Sequence, residues 1–161
     1  MNIFLLSFDM PIENNFYFLD TKPNIIMEGI FTKIIFTHSC FTLNGVYFSF
    51  PILHQSIETT MHKQDYIYFE PAQKMNMPII KHCKNMERSV LQAYMDFKGN
   101  LSRKTPIYSI AKQLNSGKCR IQLRHNHKID KIMKPLLIKL SGIWETAYEY
   151  GLTFKIMESS E

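Results

Sequence analysis

Over the first eighty residues, apolar positions fall in short runs broken by turn formers, a pattern of strands rather than helices. Ile3 to Phe8 and Phe16 to Leu19 are two such runs, with the turn-like Asp9-Met10-Pro11 between them. Ile25 to Thr37 is a longer strand candidate, and Gly29 inside it predicts a bulge or a sharp bend. Phe41-Thr42-Leu43-Asn44-Gly45-Val46-Tyr47-Phe48 predicts a hairpin, because a type I′ turn needs positive φ at both central positions and Asn-Gly provides it. Pro51 limits the second strand. Residues 54–64 read as polar and irregular, and Tyr66 to Glu70 returns to strand character before Pro71.

The period then changes. From Pro78 onward, Ile79, Ile80, Cys83, Met86, Val90, Leu91, Tyr94 and Phe97 recur at helical spacing with charged residues between them. Proline suits the first turn of this helix and Gly99 its end. Ile107 to Leu114 fits either a strand or a short helix. Asn115-Ser116-Gly117 is a turn, after which Lys118 to Arg124 alternates: Cys119, Ile121 and Leu123 on one face, Lys118, Arg120, Gln122 and Arg124 on the other. A polar, basic loop from His125 to Lys134 leads to a final hairpin, Leu136 to Trp144 and Tyr148 to Met157, around Glu145-Thr146-Ala147. Repeats and linkers are absent, so the expectation is one domain over residues 1–161. Its class is mainly β (α+β), a small OB-like Greek-key barrel with one principal helix.

Composition supports the β reading, with twelve Phe, eight Tyr and one Trp. Charge adds a polarity. Residues 1–80 carry four Lys and seven acids, whereas residues 81–161 carry fifteen Lys or Arg and seven acids. Between Lys98 and Lys139 there are eleven basic residues against one acid, Asp130. Such a one-sided field is a footprint for a polyanion, although basic side chains also serve as a solvated face. Single-stranded nucleic acid asks for a positive groove and for aromatic rings on which bases stack. The candidate phosphate contacts are Lys98, Arg103, Lys104, Lys118, Arg120, Arg124 and Lys139. The candidate stacking rings are Tyr108, Trp144, Tyr148 and Tyr150. Tyr148 and Tyr150 alternate, so a shared sheet face is expected, either packed or open to a ligand.

Chemistry of other kinds finds less support. Cys40, Cys83 and Cys119 are odd in number and far apart, which argues against a disulfide framework and for a reducing compartment. His38-x-Cys40, His82-Cys83 and His125-x-His127 are local pairs without the spacing of a zinc site, so neither metal nor cofactor is expected. Nucleotide-binding glycine loops and hydrolase motifs are missing, and a binding protein is expected rather than an enzyme. Glu145 and Glu149 flank the last hairpin, and a metal-dependent nuclease is the less favoured alternative, because two-metal chemistry asks for more converging carboxylates than the basic half offers. The N-terminus lacks a basic region before its short apolar run, and no segment has bilayer length, so an intracellular protein with no membrane partner is expected.

Two stretches carry a resemblance. Asn24 to Lys33 (NIIMEGIFTK), and Leu137 to Glu145 (LIKLSGIWE) with Tyr150 to Lys155 (YGLTFK), resemble the small single-stranded-DNA-binding proteins of large DNA viruses. The resemblance implies that the last segment closes an OB-like barrel and that DNA is the partner rather than RNA. It also implies a largely sequence-independent role in viral DNA replication or recombination, with a homo-oligomer as the working form. The rival expectation is a protein–protein interaction module, a viral regulator or virion component, whose aromatic surface is a partner site.

Overall fold

The computed structural model describes residues 16–99, 101, 103–123 and 135–159. The expected strand Ile3 to Phe8, the turn after it, Arg124 and the loop from His125 to Lys134 lie outside the described residues. In chain order the elements are β1 (Phe16–Pro23), β2 (Ile30–His38), β3 (Phe41–Leu43), β4 (Val46–Ser49), β5 (Ser56–Thr59), β6 (Asp65–Tyr68), α1 (Asn76–Lys98), β7 (Thr105–Ile107), α2 (Ser109–Ser116), β8 (Lys118–Gln122), β9 (Leu136–Glu145) and β10 (Glu149–Glu158). The protein is mainly β with one principal helix, a mixed ten-stranded sheet of small, barrel-like form.

β9 and β10 make the longest ladder, antiparallel from Leu136↔Glu158 to Glu145↔Tyr150, as the final hairpin predicted. Each of these strands then divides its other edge between two shorter ones. β9 pairs with β2 at Gly142 to Glu145 and with β4 at Leu137 to Leu140. β10 runs parallel to β7 at Glu149 to Gly151 and parallel to β8 at Ile156 and Met157. The path continues outward to β1 on one side and through β6 to β5 on the other.

Asn44-Gly45 turns the chain, but the strands it joins do not pair with each other. β3 lies against β2, and β4 crosses to β9. Gly45 has φ +112°, and a Cβ there would stand 2.8 Å from the Leu140 carbonyl oxygen, so glycine permits this crossing as well as the turn. The expected strand Ile25 to Thr37 begins only at Ile30, with residues 25–29 forming a bend. Residues 54–64 contain a strand after all. Its alternation is hidden because β5 is an edge, so only Ile57 of its four residues escapes full exposure. Ile107 to Leu114 resolves into the end of β7 and most of α2.

α1 matches its expected stripe. Ile80, Cys83, Met86, Val90, Leu91 and Tyr94 are buried against the inward sheet residues, which include Ile34, Ile67, Ile121, Ile138, Leu140 and Leu152. Burying each aliphatic side chain contributes about 1.5–3 kcal/mol, which outweighs the weak intrinsic preference of a helix with so many polar residues. Gly99 ends the helix in the left-handed region, its N–H bonded to Met95.

One charged residue sits inside this stripe. Glu87 is fully buried and accepts hydrogen bonds from the N–H groups of Ile110 (2.9 Å) and Ala111 (2.9 Å). α2 has no side-chain cap of its own, so α1 supplies the hydrogen-bond acceptor its N-terminus needs. Burial raises the Glu87 pKa above the ordinary 4.5, with the amides opposing that shift. Because the folded value is raised, the carboxyl's contribution to stability is full below pH 4.5 and falls as pH rises through the shifted value. Glu87→Ala is expected to cost about 1–3 kcal/mol in chemical denaturation by orphaning these amides. The wild type should also lose stability with rising pH above 4.5 more steeply than the variant.

Candidate nucleic-acid interface

Where side chains point follows from strand parity. On β8 the expected alternation holds: Cys119 and Ile121 are buried, while Lys118, Arg120 and Gln122 face out. Register carries this outward row across the sheet. Arg120 stands opposite Tyr66 on β6, and Lys118 opposite Tyr68. On the other side the parallel match of Ile121 with Ile156 sets Arg120 beside Lys155. Lys155 is opposite Lys139 on β9, which is opposite Tyr47 on β4. The outcome is a continuous cross-strand row, Tyr47–Lys139–Lys155–Arg120–Tyr66, spanning about 19 Å at ordinary strand spacing.

Two of the cations, Lys118 and Lys139, are held by rings. Lys139 Nζ lies 5.3 Å from the Tyr47 ring centre, and Lys118 Nζ lies 4.3 Å from Tyr66 and 5.3 Å from Tyr68. A hydrogen bond to Tyr68 is the first cause of a raised Lys118 pKa, so this ammonium stays charged. Exposed cation–π contacts contribute about 0.5–1 kcal/mol each and fix the orientation of otherwise mobile side chains. Three adjacent cations without an interleaved acid repel one another, and an anion laid across them relieves that repulsion.

Trp144 belongs to the same outward surface. It stands opposite Phe31 on β2 and Gly151 on β10, and its ring covers Gly151, where a Cβ would come within 2.5 Å of it. A register shift at Ser141 returns β9 to phase, so Lys139 and Trp144 face the same way despite their odd separation. Gly151 and Lys155 are four residues apart on β10, about 13 Å.

Other candidates from the sequence are elsewhere. Tyr150 is buried at 3% exposure beside Tyr94, so its ring is core and is closed to a base. Tyr148 precedes β10 in the turn and is 80% exposed, so the two tyrosines do not share an environment. Tyr108 is exposed just before α2. Arg103 is exposed in the loop after α1. Lys98 reaches the Thr21 hydroxyl at 3.2 Å.

Lys104 is committed to the fold. It bridges the buried Glu145 at 2.5 Å and the Thr146 carbonyl at 2.7 Å. Tyr94, wholly buried, donates to the other Glu145 oxygen (2.9 Å) and contacts Thr32, which in turn meets Thr21. Lys98, Thr21, Thr32, Tyr94, Glu145 and Lys104 thus form one polar chain through the interior. Burial pushes the Tyr94 hydroxyl pKa up, which keeps it protonated as a donor. Glu145 is therefore occupied internally, and Glu149 is exposed in the next strand. Among the described residues no cluster of three metal-ligating side chains occurs, and His38 stacks on Phe41 with its Nδ1 facing Ser39 and Cys40. Cys83 and Cys119 are free thiols whose pKa burial raises to about 12, so both stay protonated and inert at neutral pH.

Sequence reasoning did not single out Tyr47, Tyr66, Tyr68 or Lys155 as a site. Tyr66 and Tyr68 alternate on one strand, and that spacing was the available signal; their alignment with the cations needs the register. Comparison of the chain with protein-family models, curated proteins and solved structures finds no match. The class that fold and surface define is a β-rich domain with an outward face of interleaved cations and rings.

Lys104→Ala is expected to destabilise the protein by about 3 kcal/mol, because it strands a buried carboxylate. In thermal denaturation this loss should appear while the secondary structure of the folded state is unchanged.

Proposed function

We propose that this protein binds single-stranded nucleic acid, DNA in preference to RNA, largely without regard to sequence and without enzymatic turnover, in viral DNA replication or recombination. The observation that carries this reading is the row Tyr47–Lys139–Lys155–Arg120–Tyr66, which aligns three cations with two aromatic rings on one sheet face, the combination a single strand asks for. Lys118, Tyr68 and Trp144 extend it. A single strand can lie across such a row with phosphates on the cations and unpaired bases on the rings, whereas a duplex offers no free base face. The segment of sequence between β8 and β9 carries Arg124, Lys128, Lys131 and Lys134, and both of those strands belong to the row.

A protein-partner reading has its own support. Ile25 and Ile26 are 97% and 90% exposed in the bend before β2, and exposed apolar side chains of this kind favour association. Ile25→Ser with Ile26→Ser would separate the two, since it removes such a surface and leaves the cationic row intact.

Anisotropy with labelled single strands at several salt concentrations is the direct test. Affinity should fall steeply with salt, because neutralised phosphates release counterions. Replacing Arg120, Lys139 and Lys155 by Ala should weaken binding and reduce the slope of log K against log salt by about 2. Trp144 fluorescence should be quenched by the strand but not by inorganic phosphate. Salt-insensitive binding, or a slope unchanged by the triple substitution, would overturn the reading.

A further inference from the structure

The edge of β10 is interrupted at one place. It pairs with β7 up to Gly151 and with β8 from Ile156, where Arg120 flanks Lys155, so among the described residues Leu152 to Phe154 have no partner strand on that side. α2 spans the interval, connecting β7 to β8. The gap opens into a cleft of about 430 Å³ lined by Gln113 of α2, Arg120, Ile121 and Gln122 of β8, and Phe154, Lys155 and Ile156 of β10. That volume lies at the lower end of the range for small-molecule pockets.

The lining is ordered by depth. Arg120 and Lys155 are exposed and belong to the cationic row. Phe154 is part-buried and packs against the core, and Ile121 and Ile156 are buried beneath. Gln113 Oε1 has neither a hydrogen-bond partner nor contact with solvent among the described residues. An acceptor left in this state costs about 1–3 kcal/mol, and a donor brought to it by a small rotation of the amide recovers part of that. The cleft therefore combines two cations at its mouth, an aromatic ring, apolar walls and a lining glutamine whose unmatched acceptor is turned out of solvent.

We propose that this cleft holds one nucleotide of the bound strand, its phosphate on Arg120 and Lys155 and its base inserted toward Phe154 and Gln113. This rests on the single-strand reading above and adds a place where that strand is gripped by its base. The base must carry a ring N–H or an exocyclic amine to meet Gln113 Oε1, and thymine qualifies through its ring N–H. Anchoring one base in a slot while neighbours stack on tyrosines of the row, in place of the lysines that lie over them, fixes the strand's position along the row. It leaves most of the contacts indifferent to sequence.

The experiment compares oligothymidylate with an abasic deoxyribose-phosphate strand of equal length, measured by anisotropy on the wild type, Gln113→Leu, Phe154→Leu and Lys139→Ala. Gln113→Leu should weaken binding of oligothymidylate about threefold to tenfold, the worth of one hydrogen bond, and leave the abasic strand unaffected. Phe154→Leu should act the same way by about tenfold through lost stacking. Lys139→Ala, which removes charge outside the cleft, should weaken both strands alike. Gln113→Leu removes an acceptor that has no partner and leaves the buried core side chains in place, so it keeps the test valid where Phe154→Leu unsettles the core, and thermal denaturation of the free variant checks that it is folded. Equal effects of Gln113→Leu on both strands, or none on either, would overturn the cleft assignment while leaving the single-strand reading standing. Failure of the wild type to bind either strand would overturn both.

Discussion

The ladder between β9 and β10 gives the other strands their places. Both strands are ten residues long, β4, β7 and β8 have five or fewer, and β2 meets β9 only from Gly142 to Glu145, so neither is covered on its free edge by one neighbour. β9 accepts β2 and β4 end to end, and β10 accepts β7 and β8. Sharing an edge in this way curves the sheet around α1 and leaves an interval wherever two short strands fail to meet. On β10 the interval is wide, and it coincides with the cleft between β8, β10 and α2. Backbone pairing thus determines the shape of the surface before any charged side chain is considered.

Two buried carboxylates hold what the ladder leaves loose. Glu87 joins α1 to the N-terminus of α2, and Glu145 joins the end of β9 to α1 through Tyr94 and to the loop after α1 through Lys104. Close approach adds to the second. Gly29 lies so near the Glu145 carbonyl oxygen that a Cβ would sit at 2.1 Å, and its φ of +129° suits no other residue. A satisfied carboxylate inside an apolar core specifies one arrangement, since every alternative leaves a charge without partners. Asn76 works similarly at the start of α1, bonding the backbone of Leu53 in both directions.

The same economy explains why the basic half is not uniformly available. Lys104 is drawn inward by Glu145 and Lys98 by Thr21, whereas Lys118 and Lys139 meet rings, and Arg120 and Lys155 are exposed. Long cationic side chains go where a buried anion or acceptor needs them, and only the remainder form an external field. The surface that emerges has its charges in a line because they sit on adjacent strands in register, not because they are close in sequence. Lys139 and Arg120 are nineteen positions apart, yet only Lys155 stands between them.

Local pattern was enough for α1, for the alternation of β8 and for the hairpin of β9 and β10, since each buries one face by a period that its own residues display. It also told correctly that the second half is the basic one. Partner choice escaped it. The Asn44-Gly45 turn was legible, but that β3 would go to β2 and β4 to β9 depended on free edges elsewhere. The roles of Tyr150 and Lys104 were likewise decided by Tyr94 and Glu145, residues that reach them only across the fold. An amino-acid sequence records which faces are apolar and how much charge is present. Which strand lies beside which is determined by tertiary pairing, because backbone hydrogen bonds are the same for every residue, and only the closing of the whole sheet selects among them.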